Sequence, residues 1–131
     1  MFVDASAVVA ILADEPERMA LRNKVEQSDR VLVSPMSMFE ATVALMRIRQ
    51  CSLPEARRLT DRFAADTAAV SIAIDAEIGA AALEAFDRFG KGRHRAGLNF
   101  GDCLSYACAK VHRVPLLCKG DDFKRTDIRL A

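Results

Sequence analysis

Residues 99–118, Asn-Phe-Gly-Asp-Cys-Leu-Ser-Tyr-Ala-Cys-Ala-Lys-Val-His-Arg-Val-Pro-Leu-Leu-Cys, join a helical pattern directly to a strand-like one. Apolar side chains recur at positions 104, 107, 108 and 111, which is the spacing of one helix face. The run from Val114 to Cys118 is then apolar without alternation, as is typical of a strand buried on both faces. A helix that leads into such a strand predicts an α/β domain with parallel strands.

The same alternation of patterns continues through the rest of the chain. Unbroken apolar runs predict further strands at Met1–Val3, Val31–Val33 and Val70–Ile74. Helical periodicity fills the intervals, with apolar faces made of Phe39, Val43 and Met46, of Ala56, Leu59 and Phe63, and of Ile78, Ala82, Phe86 and Phe89. The sequence therefore predicts a three-layer α/β/α sandwich around a central parallel sheet of four to five strands, with the first strand in the middle.

Length and composition indicate one globular domain. A chain of 131 residues can bury one core but is too short for two domains of usual size, so we expect a single domain over residues 1–131. No segment approaches the roughly 18 apolar residues that suggest a membrane span. The segment Met1–Asp4 has no basic region ahead of an apolar one, so we expect no secretory signal and a cytoplasmic protein. No zinc-ligand spacing or disulfide is assigned to the four cysteines, Cys51, Cys103, Cys108 and Cys118.

Basic residues are concentrated in one short segment. The net charge is only +1, which does not favour binding of nucleic acid through bulk charge. Between Arg88 and Arg95, however, the segment is basic and contains no acid after Arg88. We predict RNA contacts there, at Lys91, Arg93, His94 and Arg95, although a solvated loop would explain each charge taken alone.

Four acidic residues lie either shortly after a predicted strand or in the first turn of a predicted helix. Asp4 ends the first strand, and Asp121 follows the fourth. Glu40 is predicted in the first turn of the helix after the second strand, and Asp102 in the first turn of the helix before the fourth. Helix N-termini and strand C-termini meet at one edge of a parallel sheet, where α/β proteins bind their ligands. We therefore expect the four carboxylates to converge.

Helix capping is the alternative explanation for each acid, because carboxylates stabilise helix N-termini. Ser37-x-x-Glu40 has the spacing of a capping box, and Asn99-x-x-Asp102 resembles one. Capping explains the set less well, since apolar residues flank Glu40 and Asp102 and no Lys or Arg adjoins these two or Asp4. Carboxylates that are partly buried together repel one another unless a cation compensates.

A divalent cation is the partner that such a cluster favours. Oxygen ligands without His or Cys at ligand spacing indicate Mg²⁺ or Mn²⁺ in preference to Zn²⁺. A site of this kind suits phosphodiester hydrolysis by a metal-activated water. We predict Asp4, Glu40, Asp102 and Asp121 as the catalytic and metal-binding residues. Ser6 is predicted either to support them by hydrogen bonding or to be an ordinary first-turn hydroxyl.

Several stretches carry a resemblance to a known family. They are Met-Phe-Val-Asp-Ala-Ser (1–6), Glu40, Phe-Gly-Lys-Gly-Arg-His-Arg-Ala-Gly-Leu-Asn-Phe-Gly-Asp-Cys (89–103), Pro-Leu-Leu-Cys-Lys-Gly-Asp-Asp-Phe (115–123) and Thr-Asp-Ile (126–128). Through them the sequence resembles the PIN-domain family and, within it, the VapC-type toxins of type II toxin–antitoxin pairs.

The resemblance implies a PIN-like α/β/α sandwich and a Mg²⁺- or Mn²⁺-dependent endoribonuclease. It also implies a homodimer and neutralisation by a cognate antitoxin whose tail enters the acidic groove. Asp4, Glu40 and Asp102 match the three central acids of the family. Asp121 is taken as the fourth, with Asp122 expected to point away or to cap the turn before Phe123.

Two other functions are compatible with parts of the sequence. A non-catalytic PIN-like module could bind protein or RNA without cleaving it, although all four acids are present. A phosphatase with Asp4 as nucleophile would need the pattern D-x-D-x-[ST], and position 6 is Ser. With one Tyr, no Trp and most Phe on predicted core faces, we expect recognition of folded or looped RNA rather than base stacking.

Overall fold

The computed structural model describes residues 1–131, with four parallel strands at its centre. The strands are β1 (Phe2–Val3), β2 (Leu32–Val33), β3 (Val70–Ser71) and β4 (Leu116–Leu117). Their order across the sheet is β3-β2-β1-β4, and β1 pairs in parallel with both β2 and β4. The predicted central place of the first strand is confirmed.

Six α-helices cover both faces of this sheet. They are α1 (Ala5–Leu12), α2 (Arg18–Glu26), α3 (Pro35–Arg49), α4 (Leu53–Asp66), α5 (Ala76–Phe89) and α6 (Phe100–Val111). Successive residues of a strand point to opposite faces. The first residues of β1, β2 and β4 accordingly pack with α5 and α6, and the second residues pack with α1 to α4. The predicted α/β/α sandwich is therefore confirmed with four strands, and only an isolated bridge between Leu116 and Leu130 extends the sheet.

The third strand differs from the prediction. Only Val70–Ser71 pair with β2, rather than the whole run Val70–Ile74, and both residues are exposed. Because β3 lies at the edge of the sheet, it has a partner on one side only. Ile72, which follows it, is buried in the layer of α5 and α6. The apolar run Val70–Ile74 therefore includes residues that pack against the helices after the strand has ended, as well as residues of the strand itself.

The start of α3 also differs from the prediction. Its N-cap is Ser34, which forms a capping box with Ser37, and Pro35 occupies the first helical position. The expected box from Ser37 to Glu40 is wrong, and Glu40 lies in the second turn because the helix begins earlier. A capping box does occur at Asn99 for α6, as the sequence spacing indicated, and another begins α4, where Ser52 and Glu55 have the Ser-x-x-Glu spacing of such a box.

The apolar stripe of α3 is exposed, which the periodicity did not indicate. Phe39 is 64% exposed and Val43 is 48% exposed, whereas the core side of this helix consists of Ser37, Ala41 and Leu45. The helical face of Phe39 and Val43 is therefore not packed into the core of the chain. Small residues make the close contact with the rest of the protein, and the large apolar ones face outward.

None of the helices combines the length and apolarity that crossing a membrane requires. The four cysteines are free thiols, and Cys103 and Cys108 are buried in the core.

Candidate active site

Asp4 stands at the carboxyl end of β1 and is the N-cap of α1. Its side chain is buried, and Oδ2 accepts hydrogen bonds from the Ser6 amide at 2.9 Å and the Ser6 hydroxyl at 2.5 Å. Both bonds engage the same oxygen, so Oδ1 is left without a donor from the protein. Capping and a functional role are therefore compatible at Asp4, because capping uses one oxygen and leaves the other free.

Ser6 connects two neighbouring elements at this edge. Its hydroxyl donates to Asp4 and accepts a hydrogen bond from the backbone amide of Lys119, just after β4, at 3.0 Å. The Lys119 ammonium is directed away, to Glu15 and Glu17 on the connection between α1 and α2. Ser6 is thus a first-turn hydroxyl that also holds the Asp4 carboxylate in place.

Asp102 lies in the first turn of α6, as predicted. Its Oδ2 accepts a hydrogen bond from the Asn99 amide at 2.8 Å, while the Asn99 side chain caps the Asp102 amide at 3.0 Å. Burial raises the pKa of the Asp102 carboxyl; the Asn99 amide opposes that shift, and the charges of Asp4 and Asp122 add to it. The carboxyl is therefore held in place by its cap while its charged form is disfavoured.

Glu40 reaches the same edge from the second turn of α3. Its carboxylate lies against Gly101 in α6, so that a Cβ on residue 101 would be 2.6 Å from Glu40 Oε2. Burial, followed by the charges of Asp4 and Asp102, raises the pKa of the Glu40 carboxyl. Sequence reasoning missed Gly101, although a glycine in the first turn of a helix is a signal, because glycine disfavours helix formation.

These three acids act on one another without a compensating cation from the protein. Lys119 and Lys124, which follow β4, are bound to other carboxylates, Glu15 and Asp121. The effect extends to Cys118, since burial together with the charges of Asp4 and Asp102 raises the pKa of that thiol to about 12. No three of the protein's His, Cys, Asp and Glu side chains are arranged to hold a metal ion directly. The edge is therefore a region of uncompensated negative charge with open carboxylate oxygens.

Asp121 is oriented differently from the other predicted acids. It is exposed and pairs with Lys124 at 2.7 Å, and this cation lowers the pKa of the Asp121 carboxyl. Asp122, the neighbouring residue, is the one whose charge acts on Asp102. Asp122 also precedes the short 3-10 turn Phe123–Arg125 without capping it through its side chain. The structure thus brings Asp4, Glu40 and Asp102 together, with Asp121 turned towards a lysine.

The basic segment between α5 and α6 is closed by a bridge between Gly90 and Leu98. Arg93 pairs with Asp87 at 2.8 Å and lies over the ring of Phe86. The remaining two charged side chains on this loop, Lys91 and Arg95, are exposed and form no ion pair.

His94 is held within the loop. Its Nδ1 accepts a hydrogen bond from the Ala96 amide at 3.1 Å, and its ring packs edge-on against Phe89. A further cation, Arg125, donates to the Arg95 carbonyl at 3.0 Å and so joins the basic loop to the turn after β4. The cations of this region that form no ion pair are therefore Lys91, Arg95 and Arg125.

Comparison with known proteins identifies close relatives across the whole chain. The family model for the PIN domain matches residues 1–129. A VapC ribonuclease of Rhizobium meliloti is 40% identical, over 97% of this chain and 98% of its own length. Ribonuclease VapC of Mycolicibacterium smegmatis is 42% identical over 98% and 97%, and Ribonuclease VapC30 of Mycobacterium tuberculosis is 43% identical over 98% and 95%.

Solved structures share the fold at lower sequence identity. VapC20 of Mycobacterium tuberculosis, described as a sarcin-ricin loop cleaving toxin, superposes with a TM-score of 0.74 at 18% identity, covering 99% of this chain and 97% of that one. A chain of a toxin–antitoxin complex from Klebsiella pneumoniae gives a TM-score of 0.72 at 17% identity, with 99% and 95% covered. These structures show a shared fold. The match of the PIN-domain model to residues 1–129 and the VapC relatives at about 40% identity show that the chain belongs to the PIN-domain family and to its VapC group.

Proposed function

We propose that this protein is a metal-dependent endoribonuclease and the toxin of a VapBC-type toxin–antitoxin pair. The observation that supports this most directly is the convergence of Asp4, Glu40 and Asp102 at the carboxyl edge of the sheet, with no cation of the protein beside them. VapC ribonucleases at about 40% identity support the same activity. Its RNA substrate and its partner would be met in the cytoplasm.

The donor set fits a hard divalent cation, Mg²⁺ or Mn²⁺. Asp4 Oδ1 and the Glu40 carboxylate accept no hydrogen bond from the protein, and Asp102 uses only Oδ2 for its cap. Because the three acids are not arranged for direct ligation of one ion, part of the set would reach it through water, as is usual for Mg²⁺. Bound there, the ion would offset the charge that develops on phosphorus and lower the pKa of an attacking water.

Each side chain has a distinct part in this proposal. Asp4, fixed by Ser6, and Asp102, fixed by Asn99, supply rigid oxygens from two different elements. Glu40 has no such bond and can move to meet the ion or to orient water. For the fourth acid, Asp122 is better placed than Asp121, because its charge reaches Asp102 while Asp121 is paired with Lys124.

RNA would be held by the cations that no carboxylate neutralises. Of the four predicted RNA contacts, Lys91 and Arg95 are free, whereas Arg93 is paired and His94 is bonded within its loop. Phosphate contacts by Lys and Arg position a nucleic acid without specifying its sequence. Lys91 and Arg95 would therefore compensate for the repulsion between the acidic edge and the RNA backbone.

An antitoxin has a suitable docking surface on the outer helical layer. A groove of about 610 Å³ between α1, α2 and α4 has an apolar floor that includes Ile11, Val25 and Phe63. Its rim carries charges of both signs, among them Arg22 and Asp66. An apolar floor with a charged rim suits the apolar face of an amphipathic helix. We assign this groove to a helical segment of the antitoxin.

The exposed stripe of α3 supports a homodimer. Phe39 and Val43 present large apolar groups to solvent, and apolar surface of this kind is characteristic of protein interfaces. A second copy of the chain is the proposed occupant, and light scattering in solution would then give twice the mass of one chain.

The test of the nuclease proposal is RNA cleavage by the purified chain. We expect cutting with Mg²⁺ or Mn²⁺, loss of cutting with a chelator, and loss again in Asp4→Asn, whose amide oxygen can still accept the Ser6 bonds. Cutting that persists in chelator and in Asp4→Asn would contradict the proposal. Absence of cutting together with absence of Mn²⁺-induced stabilisation would favour the non-catalytic module.

A further inference from the structure

Gly101 has no backbone reason to be glycine. It lies in the second position of α6, a regular helix, and it is not among the residues with positive φ. Alanine at a helical position is favoured over glycine by up to about 1 kcal/mol. An unexplained glycine in a helix therefore indicates that something occupies the space of its side chain.

That space is occupied by the Glu40 carboxylate. A Cβ on residue 101 would lie 2.6 Å from Glu40 Oε2 and 2.7 Å from Glu40 Cδ, closer than real Cβ atoms approach such groups. No other residue is among the nearest atoms. The contact joins α3 and α6 through two residues that lie 61 positions apart in sequence, and Asp102 directly follows the glycine. The missing side chain thus determines how near Glu40 comes to the start of α6.

We propose that Gly101 is a positioning residue that acts through Glu40. Its lack of a side chain places the Glu40 carboxylate beside Asp102, within the acidic edge. The displaced group would be the far end of a flexible side chain, so a methyl group at 101 moves Glu40 rather than unfolding the helix. This inference rests on the proposed metal site for its function but on steric contact alone for its geometry.

The test substitution is Gly101→Ala, with Gly79→Ala as the matched control. Gly79 lies in α5, and a Cβ there would meet nothing within 4 Å. Both variants exchange glycine for alanine within a helix, so both are expected to keep or raise Tm, by up to about 4 °C. Only Gly101→Ala is expected to weaken Mn²⁺ binding, by roughly tenfold or more, measured from the Mn²⁺ dependence of Tm.

Repeating the Gly101→Ala substitution in a Glu40→Ala variant separates an effect that acts through Glu40 from other effects of the added methyl group. In Glu40→Ala the carboxylate is gone, so adding Gly101→Ala should weaken Mn²⁺ binding no further. An equal loss in both backgrounds would overturn the proposal, as would Mn²⁺ binding by Gly101→Ala that equals that of wild type.

A metal-free crystal structure of Gly101→Ala keeps the inference testable if the nuclease proposal fails. We expect α6 to start where it does in wild type and the Glu40 carboxylate to have left residue 101. A shifted helix start with Glu40 in its original place would overturn the positioning role. Absence of Mn²⁺ binding in the wild type would instead contradict the proposed function, while the crystal structure still decides the steric relation.

Discussion

Carboxylates occur in two contrasting environments in this protein. At the carboxyl edge, Asp4, Glu40 and Asp102 lie together without a cation, and burial with mutual repulsion raises the pKa of the Glu40 and Asp102 carboxyls. Asp127, in the chain's last segment, is surrounded by donors from α5 and α6. The carboxylates at the acidic edge therefore destabilise the folded state, whereas the Asp127 carboxylate stabilises it.

The donors around Asp127 form a compact set. It accepts hydrogen bonds from the hydroxyl of Tyr106 and from Arg88 at 2.9 Å, and Lys110 lies 3.7 Å away. The Tyr106 bond, followed by the Arg88 bond and the nearby positive charges, lowers the pKa of the Asp127 carboxyl. Because Tyr106 is buried in α6, this cluster ties the C-terminal segment to the helix that begins at the acidic edge.

The largest difference between the two environments is expected in activity. Asp102→Asn keeps an oxygen that can cap α6 but removes the charge, so RNA cleavage should fall by roughly 10³-fold, equivalent to about 4 kcal/mol of transition-state stabilisation. Asp127→Asn, by contrast, should keep cleavage within a few-fold of wild type at a temperature where both are folded. The measurement is the initial rate of cutting at saturating Mn²⁺. Equal losses in the two variants would contradict the distinction.

For stability the order of the two sites should be reversed, because a substitution at Asp127 is expected to destabilise the protein. Asp127→Ala removes the acceptor of a buried tyrosine hydroxyl and of two cations, which should cost about 1 kcal/mol after allowance for its partial exposure. Thermal unfolding should then show a decrease in Tm of a few degrees.

Asp61→Ala is the control for that substitution, since its pair with Arg57 is exposed at both ends and should contribute little. An Asp127→Ala variant as stable as wild type would show that the cluster does not tie the segment down.

The pH dependence of stability should distinguish the same two groups. A raised carboxyl pKa in the folded state means that stability falls as pH rises through the ordinary carboxyl pKa, near 4, to the raised value. Metal-free Asp102→Asn should therefore be more stable than wild type at pH 7, with the gain vanishing below a pH of about 4.

Asp127 should show the reverse profile, because its lowered pKa contributes stability above the ordinary value and loses it as pH falls. Denaturant unfolding between acid and neutral pH measures both trends. If the gain in stability of Asp102→Asn persisted unchanged in acid, it would contradict the conclusion that the charged Asp102 carboxylate is disfavoured at this site.

The smallest effects are expected for the basic loop. In an Asp102→Asn background, Lys91→Ala and Arg95→Ala should each reduce RNA affinity and lower the salt dependence of binding by roughly 0.7 in log–log slope, as for loss of one phosphate contact. Arg93→Ala, whose charge is already neutralised by Asp87, serves as the control and should change the slope less. Binding titrations at several salt concentrations test this, and a larger effect at Arg93 would reverse the assignment.

Much of the fold could be predicted because it depends on local patterns. The apolar runs, the caps at Ser52 and Asn99, and the order of elements determine the sandwich and the edge where Asp4 and Asp102 meet. The direction in which the side chains of a helix point, by contrast, depends on tertiary packing. Phe39 and Val43 have helical spacing but face solvent, because the small residues of α3 make its close contact.

The candidate site shows the same limit. Asp4 and Asp102 follow from their places at a strand end and a helix start. Asp121 pairs instead with Lys124, three residues away. Sequence spacing alone does not show whether the Asp121 side chain turns to this lysine or to the acidic edge. The contact of Glu40 with Gly101 joins distant segments, so only the three-dimensional structure reveals it.

The most direct test of the account is an anomalous diffraction measurement on crystals soaked with Mn²⁺. We expect one strong peak at the carboxyl edge, with Asp4, Glu40 and Asp102 bound to the ion directly or through its water, and no peak there in Asp102→Asn. A Mn²⁺ site elsewhere in the protein, or no peak between Asp4 and Asp102 at millimolar Mn²⁺, would contradict the account.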